Sequence, residues 1–130
     1  MKKTKLIVKT KSKIYPIIIG SNILKNTSSI LKSNNISFNK CLIIADKRVP
    51  KKNLLSLKKQ ILSKTKFTHL FNSSEKNKNQ QSVNIILNKL FKNNFNRDDC
   101  IISLGGGITG DVAGYAASIY KRGLKFINIP

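Results

Sequence analysis

The chain has 130 residues, 40% of them hydrophobic, and a formal net charge of +20. This length supports one domain with a packed core rather than two, and no apolar run approaches the roughly 18 residues that a membrane span needs. The lysines that carry the charge are scattered through every segment of a sequence also rich in Asn and Ile. AT-rich coding sequence favours these residues, which explains the charge without a ligand and argues against a specific nucleic-acid-binding protein. The lack of a long apolar run argues against a membrane-spanning protein.

The chain opens with a predicted β-hairpin and a short helix. Residues 5–10 (KLIVKT) and 14–19 (IYPIII) are apolar runs separated by a polar turn, which is typical of two antiparallel strands. Because Pro16 has no backbone N–H to donate, its strand is expected to lie at a sheet edge or to place the proline where the sheet needs no donor. Residues 20–22 (GSN) then predict a turn and a helix cap, and apolar residues recur at helical spacing as far as Leu31.

The next strand ends in an acid. Residues 40–45 (KCLIIA) predict this strand and place Asp46 at its carboxyl end, where ligands collect in open α/β sheets. Asp46 could accept hydrogen bonds from ribose hydroxyls, or it could be a turn residue or helix cap before Val49 and Pro50. Arg48 could meet a phosphate or point to solvent. The residues alone leave these alternatives open.

Further α and β units follow. Apolar positions between residues 54 and 62 predict a helix with one apolar stripe, and residues 66–71 (KFTHLF) predict a strand. Residues 73–78 (SSEKNK) predict a solvated polar loop, and apolar positions between 83 and 91 predict another helix. Residues 93–99 form a turn-rich segment before a strand that starts at Cys100.

Three consecutive glycines, 105–107, end that strand. Glycine lets the backbone approach a ligand closely, and helical spacing from Thr109 predicts a helix whose amino end presents free N–H groups to a phosphate. Gly105, Gly107 and Gly110 satisfy G-x-G-x-x-G, but the position about 20 residues onward, where a ribose-binding acid is expected, is Pro130. A standard Rossmann domain is therefore a poor fit. A plain turn with Asp111 as a helix-start acid is the alternative.

The order of elements defines the fold class. A hairpin is followed by alternating helices and strands, with residues 125–129 as the last strand, which predicts an α/β fold with a Rossmann-like, mostly parallel sheet covered by helices. Cys41 and Cys100 are predicted to be buried thiols and His69 a structural histidine. These three residues are too few and too scattered to form a zinc site.

Several segments resemble one family. GGGITGDVAGYAASIYKRGLKFINIP, residues 105–130, resembles the glycine-rich segment of the 3-dehydroquinate synthases, which are sugar phosphate cyclases of the shikimate pathway. YPIIIGSNIL, CLIIADKRV and SSEKNK resemble that family's early hairpin strand, its strand ending in aspartate and its Glu-x-x-Lys loop. Related iron-dependent alcohol and glycerol dehydrogenases share the architecture, but their glycine turn usually continues differently from the G-D-x-A-G-[YF] that starts at Gly110. The resemblance implies that residues 1–130 are an incomplete N-terminal NAD-binding domain of a dehydroquinate synthase-like fold.

The resemblance also implies residue roles. NAD would contact Asp46, Glu75, Lys78, Gly106, Gly107, Ile108 and Asp111. Glu75 would accept from ribose hydroxyls, Lys78 would offset pyrophosphate charge, and Asp111 would lie against the nicotinamide end. Arg122 resembles an arginine that helps bind the substrate phosphate.

Two further positions bear on the resemblance, one as a match to the family and the other as a departure from it. Arg97 with Asp98 looks like a recurrent motif that holds the preceding loop by an ion pair. The family often has Asn two positions after the strand-end aspartate, where this chain has Arg48.

The implied activity is conversion of 3-deoxy-arabino-heptulosonate 7-phosphate into 3-dehydroquinate and phosphate. NAD would be a catalytic cofactor, and zinc or cobalt would polarise the hydroxyl that is oxidised. The complete enzyme would be a cytoplasmic homodimer that binds a phosphorylated sugar acid, without nucleic-acid or membrane partners. Its paired threonines, substrate segment and metal ligands, a Glu and two His, have no counterpart here. We therefore expect an N-terminal fragment or interrupted reading frame that lacks synthase activity and the C-terminal metal-binding domain.

Two alternatives remain open at the level of sequence. The chain could belong to another sugar phosphate cyclase or to a polyol dehydrogenase of the same superfamily. It could also be a small basic nucleic-acid-binding module, which predicts salt-steep binding to DNA or RNA and no saturable NAD binding.

Overall fold

A computed structural model describes residues 2–130 as a β-hairpin beside a parallel sheet covered by helices. In chain order the elements are β1 (Thr4–Lys9), β2 (Ile14–Ile19), α1 (Thr27–Ser33), β3 (Cys41–Asp46), α2 (Lys51–Gln60), β4 (Lys66–Phe71), α3 (Gln80–Lys92), β5 (Cys100–Leu104), α4 (Gly107–Ile119) and β6 (Lys125–Ile129). The predicted fold class is confirmed. No helix within residues 2–130 has the length and apolar character needed to cross a bilayer.

The parallel sheet has the strand order β4-β3-β5-β6. Cys41 of β3 lies opposite Lys66 of β4 on one side and Cys100 of β5 on the other. The chain therefore winds in one direction from β3 to β4 and in the other from β5 to β6. Such a reversal creates a crevice at the carboxyl ends of the two central strands, which is where open α/β sheets bind ligands.

Helices cover both faces of this sheet. On one face α3 and α4 pack against the strands through a core that includes Ile86, Leu90, Ala113 and Ala116. On the other face α2 packs through Leu57, and partly buried residues of the α1 region complete a second core. Every residue of β3 and β5 is buried. Burial on both faces explains why these strands are mainly apolar and do not alternate between apolar and polar residues.

Two glycines of α4 allow this helix to lie close to β6. A Cβ added at Gly110 would be 2.9 Å from Asn128 Oδ1, and one added at Gly114 would be 3.0 Å from the Phe126 ring. Asn128 Oδ1 is itself held by the Ser103 hydroxyl, which donates to it at 2.6 Å. The spacing of the G-D-x-A-G motif is therefore a packing requirement between helix and strand, which sequence reasoning did not foresee.

The turn before β5 is held by Asp99. Its carboxylate is fully buried and accepts from the backbone N–H groups of Lys40 at 2.8 Å and Asn96 at 2.7 Å. The predicted ion pair between Arg97 and Asp98 is wrong, because neither residue takes part in the ion pairs formed within residues 2–130. An exposed pair contributes little, whereas a buried carboxylate that accepts two amide bonds fixes the turn.

Tyr120 connects the end of α4 to the same turn. Its buried hydroxyl donates to the Phe95 carbonyl at 2.9 Å. We expect Tyr120→Phe to lower the free energy of unfolding by about 1 kcal/mol, because the buried carbonyl loses its partner. Tyr115→Phe is the matched control, since Tyr115 is 51% exposed. Urea unfolding should separate the two variants, and equal stability would contradict the assigned role of the Tyr120 hydroxyl.

The hairpin is the least covered part of the fold. β1 and β2 pair only with each other within the described residues, with Pro16 opposite Ile7. This arrangement confirms that the strand carrying Pro16 lies at an edge. Apolar side chains on the hairpin remain substantially exposed, among them Leu6, Ile7, Ile14, Tyr15, Ile17 and Ile19.

Candidate functional site

A crevice lies where β3 and β5 end side by side. Asp46 is the last residue of β3 and is 6% exposed, and Gly105 follows β5 directly. A Cβ added at Gly105 would lie 2.8 Å from the Asp46 Cβ and 2.9 Å from Thr109 Oγ1. Gly105 also has φ of +156°, which strongly favours glycine. These contacts close the floor of the crevice, and only glycine fits there.

The next two glycines have the opposite surroundings. A Cβ added at Gly106 or Gly107 would meet no atom within 4 Å. α4 begins at Gly107, two residues earlier than predicted, and Gly106 makes no side-chain capping bond. The first N–H groups of a helix have no partner inside it and lie at its positive end. This open, donor-rich turn suits a phosphate group.

Thr109 adds an unsatisfied donor beneath the turn. Its side chain is fully buried, and Oγ1 has no hydrogen-bond partner among residues 2–130. Leaving a buried hydroxyl without a partner costs about 1–3 kcal/mol. The open space over Gly106 and Gly107 and this orphaned hydroxyl together fit a bound nucleotide pyrophosphate. Sequence reasoning missed Thr109, although a polar residue inside a small-residue helical pattern was the available signal.

Arg48 holds the Asp46 carboxylate. Its Nε donates to Oδ1 at 3.3 Å, its Nη2 to Oδ2 at 3.1 Å and its backbone N–H to Oδ1 at 2.9 Å. Nη2 also donates to the Ser73 carbonyl at 3.0 Å, which connects the ends of β3 and β4. The backbone bond gives Asp46 the turn role that the sequence left open. The ribose contact of Asp46 stays a prediction.

The ion pair with Arg48 affects the pKa of the Asp46 carboxyl. Burial by itself raises the pKa of this carboxyl, but hydrogen bonds and charge from Arg48, with a contribution from Ser73, hold the pKa below its ordinary value of 3.8. A carboxyl with a depressed folded pKa stabilises the fold above its unfolded pKa, and this contribution is lost as pH falls through the folded pKa.

We expect Arg48→Asn to be less stable than the wild-type chain near neutral pH, because it leaves a buried carboxylate without its cation. The difference in stability between this variant and the wild-type chain should become smaller once the pH falls below 3.8, the ordinary pKa of an aspartate such as Asp46. Urea midpoints at about pH 7 and about pH 3 measure both differences. A gap that is unchanged between the two conditions would mean that Asp46 does not carry the effect.

Lys78 and Asp111 meet across a shallow cleft between α3 and α4. Lys78 Nζ lies 2.9 Å from Asp111 Oδ2, and both side chains are largely exposed. Val83 and Tyr115 are among the residues that line this cleft. The Asp111 hydrogen bond and charge raise the pKa of Lys78. Asp111 is the fifth residue of α4, so describing it as a helix-start acid was wrong.

The remaining predicted residues lie in different places. Glu75 begins a short 3-10 turn after β4 and is exposed, on the same loop as Lys78. Ile108 lies in the first turn of α4. Arg122 follows the far end of that helix, which is about 20 Å long. The structure therefore brings Asp46 and the glycines together and brings Lys78 to Asp111, but it leaves Arg122 remote from the crevice.

The backbone around Arg122 is strained. Lys121 has φ of +43°, Arg122 has +66° and Gly123 has +113°. Two consecutive non-glycine residues with positive φ are unusual, and each costs about 1 kcal/mol or more. Such strain is common at functional loops.

No metal centre can be assembled from the part of the chain that the structure describes. Residues 2–130 contain no group of three His, Cys, Asp or Glu side chains able to hold an ion. Cys41 and Cys100 are free, buried and in register on neighbouring strands. Burial raises the pKa of Cys41 to about 12 and that of Cys100 well above its ordinary value. Both thiols are buried, as predicted, and a raised thiol pKa disfavours the reactive thiolate form.

Sequence comparison connects the chain to one group of enzymes. Residues 68–130 match the 3-dehydroquinate synthase N-terminal family. The chain is 56% identical to a 3-dehydroquinate synthase of Pelagibacter ubique over 97% of its own length and 34% of the relative's. It is 43% identical to the Sulfurimonas denitrificans enzyme over 70% of its own length and 26% of the relative's. The chain thus spans about a third or less of the curated relatives it matches.

Solved structures share the fold. A 2-deoxy-scyllo-inosose synthase superposes with a TM-score of 0.86 at 24% identity, covering 98% of this chain and 36% of that one. A second structure of that enzyme, complexed with carbaglucose-6-phosphate, NAD+ and Co2+, gives a TM-score of 0.85 at 25% identity, covering 98% and 35% of the two chains.

Proposed function

We propose that this chain is the NAD-binding part of a 3-dehydroquinate synthase, and the match of residues 68–130 to the 3-dehydroquinate synthase N-terminal family supports this proposal. The crevice between β3 and β5 carries this proposal. An acid ends one strand, and an open glycine turn at a helix amino end follows the neighbouring strand. This juxtaposition is the arrangement that α/β folds use for dinucleotides.

In this proposal each end of the crevice holds a different part of NAD. The N–H groups of Gly106, Gly107 and Ile108 donate to the pyrophosphate, and the Thr109 hydroxyl lies beneath them. Asp46 and Glu75 accept from ribose hydroxyls. When bound, NAD would supply hydride acceptance and return, while the chain's own residues orient it.

Lys78 and Asp111 act as one unit in this proposal. The Lys78 ammonium offsets pyrophosphate charge, and Asp111 lies towards the nicotinamide end. Lys78 Nζ lies 2.9 Å from Asp111 Oδ2, and the hydrogen bond and charge of Asp111 raise the pKa of Lys78.

For the complete enzyme we propose conversion of 3-deoxy-arabino-heptulosonate 7-phosphate into 3-dehydroquinate and phosphate. Arg122 contacts the substrate phosphate, and the remoteness of Arg122 from the nucleotide crevice supports its acting across a homodimer interface. Zinc or cobalt would be held by residues outside those described, since residues 2–130 offer no ligand cluster. Two free buried thiols are consistent with a reducing cytoplasmic compartment.

A direct binding measurement tests the proposal. The 130-residue chain should bind NADH saturably, as followed by NADH fluorescence, with circular dichroism confirming that the chain is folded. A folded chain that shows no saturable binding, but does bind duplex DNA with a steep salt dependence, would overturn the proposal in favour of a basic nucleic-acid module.

A further inference from the structure

The Arg48 guanidinium has an unused edge. Of its five N–H donors, those on Nε and Nη2 are engaged by Asp46 and the Ser73 carbonyl. Nη1 makes no hydrogen bond to any residue between 2 and 130. The side chain is 73% exposed despite its bond to a buried carboxylate. A planar cation with free donors at the mouth of the crevice can receive a phosphate oxygen.

The ion pair between Arg48 and Asp46 also determines whether the Asp46 carboxylate repels a ribose 2′-phosphate. In dinucleotide-binding folds a free carboxylate at this position accepts the ribose 2′-hydroxyl, and a nearby arginine accommodates a 2′-phosphate. Here both Asp46 oxygens already accept from Arg48, at 3.3 Å and 3.1 Å. The carboxylate is neutralised by its partner, and exposed Lys47 adds positive charge beside it. Electrostatic repulsion of a 2′-phosphate is therefore absent.

We propose that Arg48 is a specificity-determining residue that lets this crevice accept the 2′-phosphate of NADP as well as the 2′-hydroxyl of NAD. This inference rests on the proposed function, since it assigns the ribose end of the dinucleotide to Asp46. It concerns the selectivity of the crevice and requires no metal or second domain.

Parallel titrations of the 130-residue chain with NADH and NADPH test the inference. We expect dissociation constants within about fivefold of each other. Arg48→Asn should weaken NADPH binding by about tenfold or more, because a charge-assisted bond is lost and the Asp46 charge is unmasked. The same variant should change NADH affinity by less than about threefold, because the freed carboxylate remains able to accept from a 2′-hydroxyl.

Lys59→Asn is the charge-matched control. Lys59 lies in the last turn of α2, whereas Arg48 precedes the first turn, so this variant removes one positive charge at the opposite end of the helix. It should leave the ratio of the two affinities unchanged. Adenosine 2′,5′-bisphosphate and 5′-AMP provide a second readout at the ribose end alone, and Arg48→Asn should weaken only the bisphosphate.

The outcomes separate the two proposals. NADPH binding that is more than about fivefold weaker than NADH binding would overturn the inference and leave the proposed function intact. The inference would also be overturned if Arg48→Asn does not change the ratio of the NADH and NADPH affinities. Absence of binding by either dinucleotide to the folded chain would overturn both. If Arg48→Asn does not fold, Arg48→Lys provides a second variant, because it keeps the charge without the planar guanidinium. Its NADPH affinity should be lower than that of the wild-type chain and that of Lys59→Asn.

Discussion

Gly105→Ala should lower the free energy of unfolding by about 3 kcal/mol, because the new methyl group has no space. It would lie 2.8 Å from the Asp46 Cβ and 3.1 Å from the Thr109 Cβ. Both atoms are bonded directly to backbone, in β3 and in α4, so neither can move without shifting an element. The φ of +156° adds conformational strain for any residue other than glycine.

The control for this change is the next residue. Gly106 has φ of −75°, and an added Cβ meets no atom within 4 Å. Gly106→Ala should therefore be as stable as the wild-type chain or slightly more stable, since it reduces the freedom of the unfolded chain. Urea unfolding of both variants measures the difference. Equal stability of the two would refute the packing assigned to the crevice floor.

Gly106→Val should retain the fold but bind NADH more weakly. Its branched side chain would fill the open space above the glycine turn and prevent a pyrophosphate from reaching the N–H groups of Gly107 and Ile108. Loss of charge-assisted bonds to these donors should weaken NADH binding by at least about tenfold. NADH fluorescence titration gives the affinity, and circular dichroism checks that helix content is unchanged.

Ser118→Val is the matched control for the binding loss. Ser118 is an exposed residue near the last turn of α4, so the same side chain is introduced on the same helix away from the crevice. It should bind NADH as the wild-type chain does. If Gly106→Val binds NADH with unchanged affinity, the ligand does not lie over the glycine turn and the assignment of the crevice fails.

Most of the fold could be predicted from the sequence. The bounds of β2, β4 and β6 agree with the predicted ranges, because each is an apolar run between clear turn signals. The start of α4 was predicted too late. Glycines carry no side-chain pattern, so the sequence could not indicate that Gly107 already has helical geometry.

The site was predicted less completely, because its contacts join separate segments. The sequence identified Asp46 and the glycine turn, but whether Arg48 would turn back onto Asp46 depended on the turn after β3 and on the Ser73 carbonyl after β4. Asp99 was overlooked for the same reason. Its partner Lys40 is distant in the chain, and no local pattern marks a carboxylate that is buried to bind amides.

The strand order has a consequence for biosynthesis. β3 acquires β4 as a neighbour soon after it is made, but its other neighbour, β5, is translated only after α3. During that interval residues 41–46, of which the first five are apolar, present unpaired backbone groups along one side of the nascent sheet. Unpaired edges of this kind recruit chaperones or other chains. The emergence of Cys100–Leu104 from the ribosome is therefore the step that closes the centre of the sheet and ends this exposure.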